Sequence, residues 1–97
     1  MSFIKIAGIF KTIEESNNFL QSLPPSEFYA DYMFTVNQDL LLALKNKMLI
    51  FDIHENEHII VIQVIGNKLL QIQTLLKKAK GRYVTPEELI SLPIANL

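Results

Sequence analysis

The chain has 97 residues, no cysteine, and nine lysine and arginine residues against ten aspartate and glutamate residues, for a formal net charge of −1. This length fits one domain with one core, and the lack of cysteine excludes disulfides, thiolate catalysis and cysteine-ligated metal sites. The balanced charge gives no long-range attraction to nucleic acid or to an anionic membrane. No apolar run reaches the roughly 20 residues of a spanning helix, and the N-terminus lacks signal-peptide features, so we expect a cytoplasmic protein with no membrane segment.

The first half of the sequence predicts two strands and two helices. Residues 3–10 alternate between apolar and other side chains as a strand. Thr12 and Glu15 have the spacing of a capping box, which begins an amphipathic helix that ends at two consecutive prolines. The segment EFYADYMFTV, residues 27–36, alternates again and predicts a second strand. The leucine-rich residues 38–47 follow a capping asparagine and predict a short helix.

The second half predicts two more strands and two helices. Strands are expected at residues 48–54 and 58–65, joined around Asn56. Residues 68–80 place leucine and isoleucine on one helical stripe, carry lysines in the last turn and meet Gly81 as a stop signal. The segment TPEEL then has a capping threonine, a proline at the first helical position and a capping-box glutamate, so it predicts a last short helix.

The hairpin around Asn56 carries both histidines of the chain, and its register decides whether they could form a site. We expect Glu55 to lie opposite His58, because this register gives one face that is entirely apolar. The resulting pairs are Ile53 with Ile60, Phe51 with Ile62 and Leu49 with Val64. In this register His54 and His58 lie on opposite sides of the sheet, so the acidic turn is predicted to be a solvated loop and not a metal site.

These elements predict an α+β fold in which one domain, residues 1–97, has a mainly antiparallel sheet of about four strands with amphipathic helices packed on one face. The strand, helix, strand order is similar to ferredoxin-like modules such as small ligand-sensing regulatory domains. The likeness is one of fold without a shared motif, so no functional residue is transferred from it. The predicted core consists of Ile4, Ile6, Phe10, Phe19, Leu20, Leu23, Phe34, Phe51, Ile53, Ile60, Ile62, Leu69, Ile72 and Leu76.

The face of the sheet that lies away from the helices is called the second face here. It mixes large apolar side chains with a few charges, as expected of a surface that contacts a protein. The predicted interaction surface on it consists of Phe3, Lys5, Ile9, Tyr29, Asp31, Met33, Met48, Ile50, Asp52, His54, Val61 and Ile65. The alternative is that the short leucine-rich helix, or the C-terminal segment, folds over this face.

Three classes of function follow, and the leading one is a small non-enzymatic interaction or regulatory protein whose partner is another protein or a second copy of itself. The second is a ligand-sensing or enzymatic domain that uses Asp52 and His54, since a carboxylate beside a histidine makes a minimal general base. The third is a nucleic-acid binder that uses the only basic cluster, with Tyr83 beside it as a stacking residue. That cluster consists of Lys77, Lys78, Lys80 and Arg82.

A more uniform basic surface is typical of nucleic-acid binders, so we do not expect that class of partner. The sequence shows no nucleophile motif and no glycine-rich phosphate loop, and it predicts no cofactor and no metal. A twofold homodimer would bury the apolar residues of the second face. On this reading Ile50→Asp or Val61→Asp gives a folded monomer, whereas Ile62→Asp unfolds the chain.

Overall fold

The computed structural model describes residues 3–24, 28–45 and 53–90, with the side chains of residues 29–32, 43–45 and 90 left out of the description. Four strands and four α-helices lie in this part of the chain, which confirms the α+β fold. In chain order they are β1 (Phe3–Phe10), α1 (Ile13–Ser22), β2 (Phe28–Thr35), α2 (Gln38–Lys45), β3 (His58–Ile65), α3 (Leu69–Lys78), β4 (Arg82–Val84) and α4 (Pro86–Ile90). A 3₁₀ turn at Gly66–Lys68 precedes α3.

The strands form one open sheet in the order β2-β3-β1-β4, and all neighbouring strands are antiparallel. Two strand–helix–strand units, β1–α1–β2 and β3–α3–β4, are interleaved so that β1 and β3 are the central strands. This interleaving is the split βαβ arrangement of ferredoxin-like folds. Helices α1 and α3 contact each other and pack on the same side of the sheet, which is called the helix side here.

The partners of β3 differ from the sequence prediction. β1 pairs with β3 from Phe3–Ile65 to Phe10–His58, and β2 pairs with the other edge of β3 from Phe28–Val64 to Thr35–His58. Both edges of β3 are therefore occupied, and the predicted hairpin of residues 58–65 with residues 48–54 is wrong. Residues 46–52 lie outside the described residues, while Ile53 and His54 precede a turn instead of continuing a strand.

A β-bulge in β2 reverses the side of the sheet on which the following side chains lie. Ala30 pairs with Ile62 and Tyr32 with the next residue of β3, Val61, so Asp31 is one extra residue in β2. Side chains alternate along a strand, so this extra residue reverses the alternation after it. Met33 consequently lies on the helix side and Phe34 on the second face, the opposite of the sequence prediction for both.

Each side of the sheet has a core. On the helix side, residues of β1 and β3 pack against α1 and α3, and the cluster consists of Ile6, Phe10, Phe19, Phe28, Ile60, Ile62, Val64, Ile72 and Leu76. Ile4, Leu20, Leu23 and Leu69 pack against it, which confirms most of the predicted core. Phe34 and Ile53 instead pack on the second face, and Phe51 lies outside the described residues.

Candidate interaction surface

One half of the second face is covered by the chain itself. Leu89 of α4, Leu40 and Leu41 of α2, and Ile53 pack on this half. The side chains beneath them are Ala7, Ile9, Val36, Ile59, Val61 and Val84. Ile9 and Val61 are only 2% and 4% exposed, so the prediction that they contribute to an interaction surface is wrong. The alternative in which the short leucine-rich helix folds over the second face therefore holds for this half, while residues 91–97 of the C-terminal segment lie outside the described residues.

The other half of the second face carries the predicted residues that remain at the surface. Phe3 is 50% exposed and pairs with the partly buried Ile65 at the start of β1. Lys5 is exposed and lies opposite Gln63 on the same face. Phe3 and Ile65 thus form an apolar pair with Lys5 and Gln63 as polar neighbours. We call these four residues the open end.

Other predicted surface residues are separated from the open end or lie outside the description. Met33 is 53% exposed but lies on the helix side because of the bulge at Asp31, so its predicted place on the second face is wrong. The backbones of Tyr29 and Asp31 belong to β2, while their side chains are outside the described residues. Met48, Ile50 and Asp52 also lie outside the described residues.

The turn between His54 and Glu57 is held by a buried carboxylate. Glu57 Oε1 accepts the His54 backbone N–H at 2.6 Å and lies 3.9 Å from Nη2 of Arg82. Asn56 has a φ of 70°, a left-handed conformation that asparagine tolerates, and its backbone N–H donates to Val36 O at 2.8 Å. His54 is exposed, and among the described residues no carboxylate contacts its imidazole. The predicted pair of His54 with Asp52 stays a prediction, because Asp52 is not described.

His58 is the first residue of β3. Its Nδ1 is 3.1 Å from Oγ1 of Thr35 across the strand pair. Within the described parts of the chain, no three histidine, aspartate or glutamate side chains gather in a metal-binding arrangement. His54 is thus hydrogen-bonded through its backbone N–H in the turn, and His58 through its imidazole at the start of β3.

The basic cluster is divided between two sides of the sheet. Arg82 pairs with Ile9 in the β1–β4 ladder, so it lies on the second face, where it meets Glu57. Lys78 and Lys80 lie on the helix side beside the two glutamates of the first turn of α1. Tyr83 packs partly buried against the helix-side core. The cluster and its aromatic neighbour therefore do not form one surface for nucleic acid.

A groove that the sequence did not indicate lies between the start of α1 and β2. Ile13, at the first position of α1, is 62% exposed, and it lines this groove together with Met33. Thr35 and His58 also line it, and its volume is about 180 Å³. The signal available in the sequence was the apolar residue that directly follows the capping Thr12, but the side of Met33 depends on the bulge.

Comparison of the chain with protein-family models, with curated proteins and with solved structures finds no match. None of the helices in the described ranges has the length and apolar character needed to cross a membrane.

Proposed function

We propose that this chain is a small non-enzymatic interaction or regulatory protein, acting in the cytoplasm, that binds a protein partner or a second copy of itself through the open end. The observation that supports the proposal is that, on the second face, the chain's own helices cover one end of β1 and leave the other end exposed. Ile9 is buried beneath the chain's own helices, whereas Phe3 on the same face is 50% exposed. Full burial of a phenylalanine side chain is worth roughly 1.5 to 3 kcal/mol, so a partner that covers Phe3 gains part of this energy.

The composition of the open end also fits a protein partner. Phe3 and Ile65 form a cross-strand apolar pair, and Lys5 and Gln63 supply polar groups directly beside it. An apolar centre with a polar rim is the usual anatomy of a protein interface. The neighbouring buried half of the face gives this surface a rigid support, since Ala7 and Val61 next to it are fully packed.

The proposal is tested with Phe3→Asp, which introduces a charge at the open end. The matched control is Leu70→Asp, the same change at a residue of α3 that is 75% exposed and lies in the helix layer on the other side of the sheet. We expect sedimentation or affinity capture to show an assembly with the wild type and the control that Phe3→Asp loses, with unchanged circular dichroism. Equal binding by all three proteins, or no binding by the wild type, would contradict the proposal.

A further inference from the structure

Strand β2 is an edge strand, and its backbone pattern identifies the groups that face outward. Within the described residues no strand pairs with its outer edge. The Val36 N–H donates to Glu57 O at 2.8 Å, and Val36 O accepts the Asn56 N–H at 2.8 Å, so the backbone of Val36 faces β3. In an antiparallel ladder the backbone groups of successive residues face opposite edges. The N–H and C=O groups of Met33 and Thr35 therefore face away from β3.

The side chains of the same two residues border the groove. Met33 and Thr35 lie on the helix side and line the groove opposite Ile13. A strand that bonds to their outward groups would place its directly opposed side chains on the helix side as well, beside Met33 and Ile13. Backbone bonds at an open edge combined with a pocket for alternate side chains are the features of strand addition.

The length of usable edge is limited on both sides. The bulge at Asp31 disrupts regular pairing before Met33, and an aspartate at a bulge is a common protection of an edge. After Thr35 the chain leaves the strand, and Asn37 Oδ1 caps α2 by accepting the Leu40 N–H at 2.8 Å. Between the bulge and the start of α2, the outward groups in regular geometry are those of the short stretch 33–35.

We infer that this stretch pairs antiparallel with the same stretch of a second copy of the chain, about a twofold axis at Phe34. This register places Met33 opposite Thr35 of the second copy and uses every outward backbone group of the stretch. Phe34 then meets its own counterpart on the second face, and aromatic pairs at such positions are favourable. None of the three residues is charged, so the contact carries no like-charge repulsion. The inference goes beyond the proposed function, because it uses a surface other than the open end and names a second copy of the chain as the partner.

The test uses sedimentation of the full chain over a range of concentrations with two variants of the edge. Thr35→Pro removes one outward N–H and the contact of Thr35 Oγ1 with His58 Nδ1, and it leaves the backbone bonds to β3 intact. Proline is tolerated on an edge strand when its missing N–H would face solvent. Met33→Asp places a charge beside the axis at a residue that is already 53% exposed. We expect a wild-type dimer whose dissociation constant rises by at least roughly tenfold in both variants, as for the loss of one or two interfacial contacts. Leu70→Asp serves as the control that leaves the dimer unchanged.

The outcomes separate this inference from the proposed function. A wild type that sediments as a monomer at high micromolar concentration overturns the inference, as does a dimer that Met33→Asp leaves intact. A dimer that is lost in Phe3→Asp and kept in Met33→Asp overturns the inference but supports the proposed function. A dimer that is lost in Met33→Asp and kept in Phe3→Asp supports the inference and leaves the open end without a role in self-association. If Thr35→Pro fails to fold, Met33→Asp alone decides.

Discussion

At the scale of single residues, the end of α3 shows why a glycine follows it. The residue with left-handed backbone is Lys80, with a φ of 63°, and not Gly81, although the sequence pattern assigns the stop to the glycine. Gly81 is required for a different reason, since a Cβ at this position would lie 2.5 Å from Cε1 of Phe10. Gly8 on β1 is required for the same reason, since a Cβ at this position would lie 2.4 Å from Cδ2 of Leu76. Both glycines make room for the ring of Phe10 and the side chain of Leu76.

We predict that Gly81→Ala lowers the free energy of unfolding by about 1 to 3 kcal/mol, because the added methyl group overpacks a fully buried phenylalanine. Gly66→Ala is the matched control, since a Cβ there meets only Cδ1 of Ile4 at the ordinary distance of 3.5 Å. The control should be neutral or stabilising by up to about 1 kcal/mol through the less flexible unfolded chain. Urea titration measures both. Equal stability losses in the two variants would show that the contact with Phe10 is not the cause.

At the scale of elements, two capping boxes of the same sequence pattern are built differently. In α4, the Glu88 N–H donates to Thr85 Oγ1 at 3.2 Å and the Thr85 N–H donates to Glu88 Oε1 at 3.1 Å, so the box is complete. In α1, the Glu15 N–H donates to Thr12 Oγ1 at 3.1 Å, but Oε1 of Glu15 is buried and has no hydrogen-bond partner among the described residues. The two glutamates should therefore contribute differently to stability.

We predict that Glu88→Ala lowers the free energy of unfolding by about 0.5 to 1.5 kcal/mol, the usual net value of a lost hydrogen bond. Glu15→Ala should leave it unchanged or raise it by up to about 1 kcal/mol, because the relief of an unsatisfied buried oxygen offsets the lost attraction to the helix dipole. Urea titration at neutral pH measures the difference. A cost for Glu15→Ala equal to that for Glu88→Ala would mean that the Glu15 carboxylate has a hydrogen-bond partner in solution.

The elements could be predicted from the sequence where the signal is local. Caps and the apolar stripe of α3 depend on residues within one helix, and Ile72 and Leu76 are buried as predicted. The bulge at Asp31 has no such signal, because apolar and other residues alternate in the sequence straight through this position. The sequence prediction therefore assigned Met33 to the wrong side of the sheet. The partners of β3 are non-local, since pairing with β1 spans more than 45 residues of chain between Phe10 and His58. Ile9 and Val61 were misassigned to the surface for a related reason, because their cover by Leu89 depends on tertiary packing.

At the scale of the whole molecule, β3 holds the sheet together. It pairs along its length with β1 and β2, and its side chains are buried on both sides, with Ile62 at 0% and Val61 at 4% exposure. Val61 belongs to a core of this chain, so the premise that Val61→Asp changes an exposed surface residue is wrong. Amides of residues 60–64 should exchange slowest, together with those of their partners in β1.

We predict that Val61→Asp and Ile62→Asp both unfold the chain, because each buries a charge without a partner between packed side chains. Phe3→Asp, on the same face as Val61, should stay folded because Phe3 is half exposed. Circular dichroism and urea titration of the three variants check this contrast. A folded Val61→Asp protein would mean that the cover by α2 and α4 opens at little cost.

The bulge at Asp31 also determines how β2 would respond to a change in its length. Before the bulge the even-numbered side chains of β2 lie on the helix side, and after it they lie on the second face. Phe28 and Phe34 therefore lie on opposite sides of the sheet although both have even numbers. Deletion of Asp31 would make the side chains alternate regularly along the whole strand and would move one of these two phenylalanines to the other side of the sheet. Replacement of Asp31 by another residue would leave both phenylalanines on their present sides. The sides on which Phe28 and Phe34 lie therefore depend on the presence of a residue at position 31 and not on its identity.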